Sequence, residues 1–210
     1  MSWYRDENPA RFTELSETLC SNINNRFIDV VHIFTFDEKD MTRFPCEMKK
    51  IRLVKQRQER FHFSEGLEYA NQNLKKQIVL LANSDIEFDD SLENLLFLHD
   101  LNSSTFYSLS RYEKDESASI GTQCGEKYLG SHDTFVIIPP VPTVLIRKCN
   151  FALGSWGIEN RIIYEMKREG ITVRNPCLLI HTWHNHKSGV KNEWMPMVND
   201  KNKSEVAFPS

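Results

Sequence analysis

Apolar residues recur along the chain at two spacings, and the switches between them define the elements. Over residues 11–23, Phe12, Leu15 and Leu19 fall on one face at helical steps, which predicts a helix. Residues 28–36 (Ile-Asp-Val-Val-His-Ile-Phe-Thr-Phe) are β-branched and aromatic and predict a strand, followed by a second short strand over 50–54. A helix is expected over 63–74 with Ser64 as its N-cap. Residues 77–82 (Gln-Ile-Val-Leu-Leu-Ala) form a continuous apolar run, the pattern of a central strand buried on both faces. The next helix is expected from Asp90, with Glu93 completing a capping box. Strands are expected over 105–109 and 134–138, before Pro139, Pro140 and Pro142 break the chain. A helix over 158–168, apolar at Ile158, Ile162, Ile163 and Met166, is closed by Gly170. Residues 177–180 read as a last short strand, and the polar chain beyond Lys187 as loosely packed. This alternation predicts an α/β fold with a Rossmann-like, mostly parallel central sheet flanked by helices.

The length of 210 residues suits one domain over 1–190 followed by a tail over 191–210. With 40% hydrophobic and 11% aromatic residues, a full core can form. A net charge of −3 offers no basic excess for duplex nucleic acid, so no nucleic-acid partner is expected. The five cysteines are odd in number, widely spaced and lack a C-x-x-C pair. Neither a thiolate zinc site nor a disulfide framework is expected, and a reducing, cytoplasmic setting follows. The first residues carry no apolar signal region, and no window approaches the ~18 apolar residues of a membrane span.

The candidate chemistry begins at Asp85, where the apolar 77–82 run ends. Ligands of open α/β sheets bind at the carboxyl ends of strands. A carboxylate there can hold a hard divalent cation that also binds two phosphate oxygens; alternatively, Asp85 is a turn residue. Glu87 shares its strand face and is a secondary candidate, whereas capping accounts for Asp90. His184 and His186 share a face if the chain is extended, and neutral imidazole can complete a shell begun by Asp85; the competing reading is a solvated loop. A zinc site is the runner-up chemistry and needs more ligands than this segment carries. Glu159 follows the Gly154-Ser-Trp-Gly157 turn and is a candidate general base for an acceptor hydroxyl, or else complements a helix dipole. Asp133 is a second carboxylate candidate. Arg57 and Arg60 either face a pyrophosphate or a nucleoside base or belong to a solvated charged run, Arg161 either meets a phosphate or pairs with a carboxylate, and Trp3 and Tyr4 can stack on a base if the first residues form a strand beside the site.

In order along the chain stand Leu-Ala-Asn83-Ser84-Asp85-Ile-Glu-Phe-Asp-Asp-Ser-Leu, Leu-Ser-Arg111-Tyr112, Gly-Ser-His-Asp133-Thr-Phe, Gly157-Ile-Glu159-Asn160-Arg161 and Asn175-Pro176-Cys-Leu-Leu-Ile-His181 with His184. This ordered set, over roughly residues 1 to 190, resembles a GT-A glycosyltransferase family of large DNA viruses, some plants and microbes. The likeness is nearest to N-terminal glycosyltransferase domains of multidomain chlorella-virus proteins of capsid glycan synthesis. The resemblance implies a nucleotide-binding half over about 1–90 and an acceptor half over 91–190. It also implies a UDP-sugar donor, Mn²⁺ or Mg²⁺, an acceptor glycan that receives a hexose or deoxyhexose, and further catalytic domains on a parent chain. Asn83-Ser84-Asp85 falls where the family carries Asp-x-Asp, placing Asn83 and Ser84 at the donor and leaving Asp85 as the direct carboxylate ligand. A nucleotidyltransferase of related fold, or a non-catalytic sugar-binding module, are the competing classes.

Overall fold

Asn8 accepts hydrogen bonds from the backbone N–H groups of Ala10 and Arg11, and Pro9 presets φ, so helix α1 (Pro9–Asn24) starts there. Its apolar stripe of Leu15, Leu19 and Ile23 packs on Trp3, Val31, Ile33 and Ile51. Strand β1 (Val31–Thr35) pairs in parallel with β2 (Ile51–Lys55). On the other side of β1 the first residues run parallel to it through a Ser2–Phe34 bridge, with the Trp3 N–H donating to Phe34 O at 2.7 Å. The computed structural model describes residues 1–4, 6–36, 46–114, 124, 132–190, 205–208 and 210.

Beyond α2 (Phe63–Asn73) come β3 (Val79–Ala82), β4 (Ile86–Phe88), a 3₁₀ helix (Asp90–Leu96), β5 (Thr105–Leu109) and β6 (Tyr112–Glu113). They are followed by β7 (Thr134–Ile137), α3 (Thr143–Lys148), α4 (Ile158–Arg168), β8 (Thr172–Arg174) and β9 (Thr182–His184). The fold is mixed α/β, and the expected mostly parallel sheet is corrected. Among the described residues the largest sheet has the order β3-β7-β5-β8, with β7 antiparallel to both neighbours and only β5 and β8 parallel. A three-stranded sheet, β4-β9-β6, lies beside it. The expected central strand, β3, is an edge strand whose first two residues are half-buried. An apolar run signals burial under helices, and here both faces are covered. Leu81, Phe106, Phe135 and Ile137 meet Leu67, Leu145, Ile162 and Met166 on one face. Ala82, Tyr107, Leu109 and Val136 meet Ile86, Leu92 and Leu95 on the other.

Several local expectations also shift. His62 is the N-cap of α2, without a side-chain cap bond, and Ser64 hydrogen-bonds Asn150 instead. Asp89, not Asp90, caps the 3₁₀ helix, its carboxylate accepting from the Ser91 N–H. Residues 177–180 form a turn, with Cys177 and Ile180 buried and Leu178 and Leu179 exposed, a three-residue period that no strand has. The strand falls at 182–184. Of the tail, residues 191–204 and 209 lie outside the described residues. Its end is not loose: Ala207 is buried, the Glu205 N–H donates to Asn160 O, and Lys167 pairs with Glu205.

Two disulfides, Cys20–Cys46 and Cys124–Cys177, overturn the expectation of unpaired thiols. Wide spacing in sequence is no obstacle, because the fold brings the Cα atoms to 5.6 and 6.0 Å. Such bonds persist in oxidising compartments, so they count against the reducing setting expected above. Cys149 is buried and free. No helix among the described residues is long and apolar enough to cross a membrane.

Candidate metal centre and its acidic surround

The site is assembled by strand register. β9 lies between β4, its antiparallel partner, and β6, its parallel partner, with His184 opposite both Ile86 and Glu113. The Asn185 N–H continues that ladder to Asp85 O at 2.9 Å, so His184 and His186 flank Asp85. β7 pairs with β3 through Ala82–Thr134, and the Asn83 N–H donates to Asp133 O, which sets Asp133 beside Asn83. β5 ends beside Thr134, and Arg111 follows it. The carboxyl ends of β3 and β5 and the start of β7 therefore share one edge, where ligands bind in α/β sheets.

Helix α1 holds this edge in place. The Asn22 amide donates to Ile86 O and accepts from the Phe88 N–H, both buried, so it closes the free edge of β4. The Arg11 guanidinium bonds Asp85 Oδ2 at 2.5 Å, Glu14 at 3.3 Å and Asn185 O at 3.3 Å.

Asp85, His184 and His186 each offer one ligand atom, all within 4.8 Å of one another, the single such group among the described residues. His184 Nε2 lies 3.4 Å and His186 Nδ1 3.8 Å from Asp85 Oδ2. Two bonds of about 2.1 Å to one cation separate their donor atoms by roughly 3–4.2 Å, so both spacings fit a shared ion. The other His184 nitrogen, Nδ1, bonds Glu113 Oε2 at 2.7 Å. A carboxylate behind a ligating histidine fixes the ring and leaves the far nitrogen for metal. Glu113 is held in turn by Arg111, which also bonds Asp133 Oδ2 at 3.1 Å. Asn83 Nδ2 donates to Asp133 Oδ1 at 2.6 Å, so Asn83 orients a carboxylate instead of supplying one.

The charges follow from this packing. Burial pushes the Asp85 carboxyl up, but hydrogen bonds and charge from His184 and Arg11 outweigh it and hold Asp85 well below the usual carboxylate range. Burial lowers His184, yet Asp85 and Glu113 raise it to about 9. Burial also raises Asp133, against the pull of Arg111 and with the push of Asp85. Glu159, in the first turn of α4, is raised to about 8 by burial and then by the charge of Asp133.

The sequence candidates divide accordingly. Asp85, His184 and His186 converge, Asn83 and Asp133 touch, and Glu159 feels Asp133. Ser84 hydrogen-bonds Ser2, tying the first residues to the site edge. Tyr4 lies near enough to feel the charges of Arg11 and Asp85. Trp3 is 4% exposed in the core, so it is not available to stack on a base. Arg57 pairs with Glu65 and Glu68 of α2, and Arg161 with Glu165 within α4, so neither guanidinium is turned to the cluster. Arg60 is exposed in the β2–α2 loop. Glu87, the secondary candidate, pairs with Lys114. Sequence reasoning missed Arg11, Glu14 and Glu113. The usable signal was on α1, where Arg11, Glu14, Thr18 and Asn22 form a polar stripe at helical spacing beside the apolar one.

No protein-family model matches this chain, and a search of curated proteins returned no match.

Proposed function

We propose that the chain is a metal-dependent glycosyltransferase moving a hexose or deoxyhexose from a UDP-sugar to a hydroxyl of an acceptor glycan. The observation that carries this reading is the convergence of Asp85, His184 and His186 at a sheet edge that also presents Asp133 and Glu159. One carboxylate and two imidazoles suit Mn²⁺ better than Mg²⁺, which takes oxygen ligands almost exclusively. A cation held there supplies charge neutralisation for a diphosphate leaving group. Glu113 keeps a proton on His184 Nδ1, so the imidazolium presents Nε2 to the cation once its Nε2 proton is released on binding. Glu159 takes the proton of the acceptor hydroxyl. A carboxyl near 8 is a stronger base than one near 4.5 and lies close to neutral working pH. Asn83 and Arg111 keep Asp133 fixed beside it.

The test is a product assay with a panel of UDP-sugars, Mn²⁺ and glycan acceptors, read by NMR. Release of UDP with a new glycosidic signal supports the reading. Release of pyrophosphate points to nucleotidyl transfer, and sugar binding without turnover points to a binding module; either result refutes it.

A further inference from the structure

Arg11 occupies an unusual place for a cation. One nitrogen, NH2, lies 2.5 Å from Asp85 Oδ2, the same oxygen that His184 Nε2 and His186 Nδ1 approach at 3.4 and 3.8 Å. The other, NH1, is anchored 3.3 Å from Glu14 Oε2 and 3.3 Å from Asn185 O. Glu14 is itself pinned by the backbone N–H and the hydroxyl of Ser188. The residue is 7% exposed, so the guanidinium is held in a socket and is not a surface charge that happens to lie nearby.

A guanidinium and a divalent cation cannot both take one carboxylate oxygen at close range. Like charges repel, and Arg11 sits on Asp85 Oδ2, the oxygen that both histidines approach, so a cation bound there competes with it. We infer that Arg11 is a placeholder cation which yields Asp85 Oδ2 to the metal and then bonds an oxygen of the diphosphate that arrives with it. This inference rests on the metal-centre reading. It deepens that reading by adding an anion subsite built on α1, next to the metal ligands. The anchored NH1 end needs no large movement, since Glu14 and Asn185 O keep it. The freed NH2 end presents a charged donor at the site, and an Arg fork suits phosphate oxygens. Metal and diphosphate should then bind cooperatively. Metal alone must displace Arg11 and leave that charge poorly compensated, whereas metal with a diphosphate gives the guanidinium a new partner. Tyr4, which feels the charge of the same side chain, borders the subsite.

The experiment is a set of Mn²⁺ titrations followed by calorimetry and EPR, on the parent chain and on Arg11→Gln. Each is run alone, with UDP and with inorganic pyrophosphate, with thermal melts as the folding control. In the parent, UDP should tighten Mn²⁺ by a coupling factor within the roughly 5–150-fold range of linked sites. In Arg11→Gln, Mn²⁺ alone should bind more tightly than in the parent, and the coupling factor should fall with both UDP and pyrophosphate to the part that direct contact between the cation and the diphosphate supplies. A role for Arg11 that is only structural predicts weaker Mn²⁺ binding instead. If Arg11→Gln does not fold, Arg11→Lys measures the same quantity. Its single nitrogen cannot span Glu14 and Asp85, so both changes should appear with the same signs and smaller size. Unchanged or weaker Mn²⁺ binding, or an unchanged coupling factor, in whichever variant folds overturns the placeholder role while leaving the metal centre intact. No Mn²⁺ binding by the parent under any condition removes the metal centre and this inference together.

Discussion

Replacing Glu159 by Gln should make the protein more stable in alkaline buffer and remove part of its pH dependence. The folded carboxyl is pushed up to about 8 from an ordinary value of 4.5, first because packing withdraws it from water and then because Asp133 lies near. Between those two values the folded state keeps a proton that the unfolded state has released. Stability therefore falls as pH rises through that window and levels off above about 8. At 1.36 kcal/mol for each decade the full displacement is on the order of 5 kcal/mol. Glu159 is only half-buried, and water entry and side-chain relaxation screen it, so about 2–3 kcal/mol is the difference to look for. Gln copies the protonated shape but carries no proton to lose. Urea unfolding in EDTA, at steps between pH 5 and about 8.5, should give a parent curve that drops relative to the variant as pH rises. His184, raised to about 9, titrates in both proteins and cancels in the difference. Parallel curves, within about 0.5 kcal/mol of a constant offset, would show that Glu159 is solvated, and its assignment as a tuned base would fail.

Three further outcomes follow from named contacts. Glu113→Gln, which weakens the grip on His184 Nδ1, should cost about 10–100-fold in Mn²⁺ affinity by calorimetry with little change in melting temperature. Asn22→Ala leaves Ile86 O and the Phe88 N–H buried without partners and should destabilise by about 2–4 kcal/mol in urea, with parent-like stability ruling out its role in holding β4. Cys20→Ser opens a cross-link between residues 26 apart and should cost about 3 kcal/mol in non-reducing buffer, a difference that dithiothreitol abolishes.

The helices and most strands were legible because burial under a single apolar face leaves a period in the sequence. Helix α4 matches its prediction from Ile158 to Arg168. The direction of strands left no such trace, since Thr134–Ile137 is as apolar antiparallel as it would be parallel. Asp85, His184, His186, Asp133 and Glu159 were readable as chemistry-bearing residues placed next to element ends. Their partners were not. Arg11 is 74 residues from Asp85, and Glu113 is 71 from His184; the packing of α1 on β4 makes the first contact and the register of β6 on β9 the second. The arginines are explained by local pairing, which for Arg161 is the carboxylate alternative of its reading. Arg57, in the β2–α2 loop, reaches Glu65 and Glu68 of the following helix, and Arg161 reaches Glu165 one turn on in α4, so those neighbours take the charge. The disulfides were missed because an odd count of distant cysteines carries no pairing information until the chain is folded.

The claim on which the account turns is that Asp85, His184 and His186 hold one divalent cation. Pulsed EPR of the protein titrated with Mn²⁺ in the presence of UDP addresses it directly, because imidazole nitrogen bound to the ion modulates the electron-spin echo. The account predicts one Mn²⁺ per chain, with a nitrogen signal that weakens in His184→Ala and in His186→Ala and an ion that is lost in Asp85→Ala. Mn²⁺ that binds without any nitrogen signal, or that binds Asp85→Ala as tightly as the parent, would contradict it.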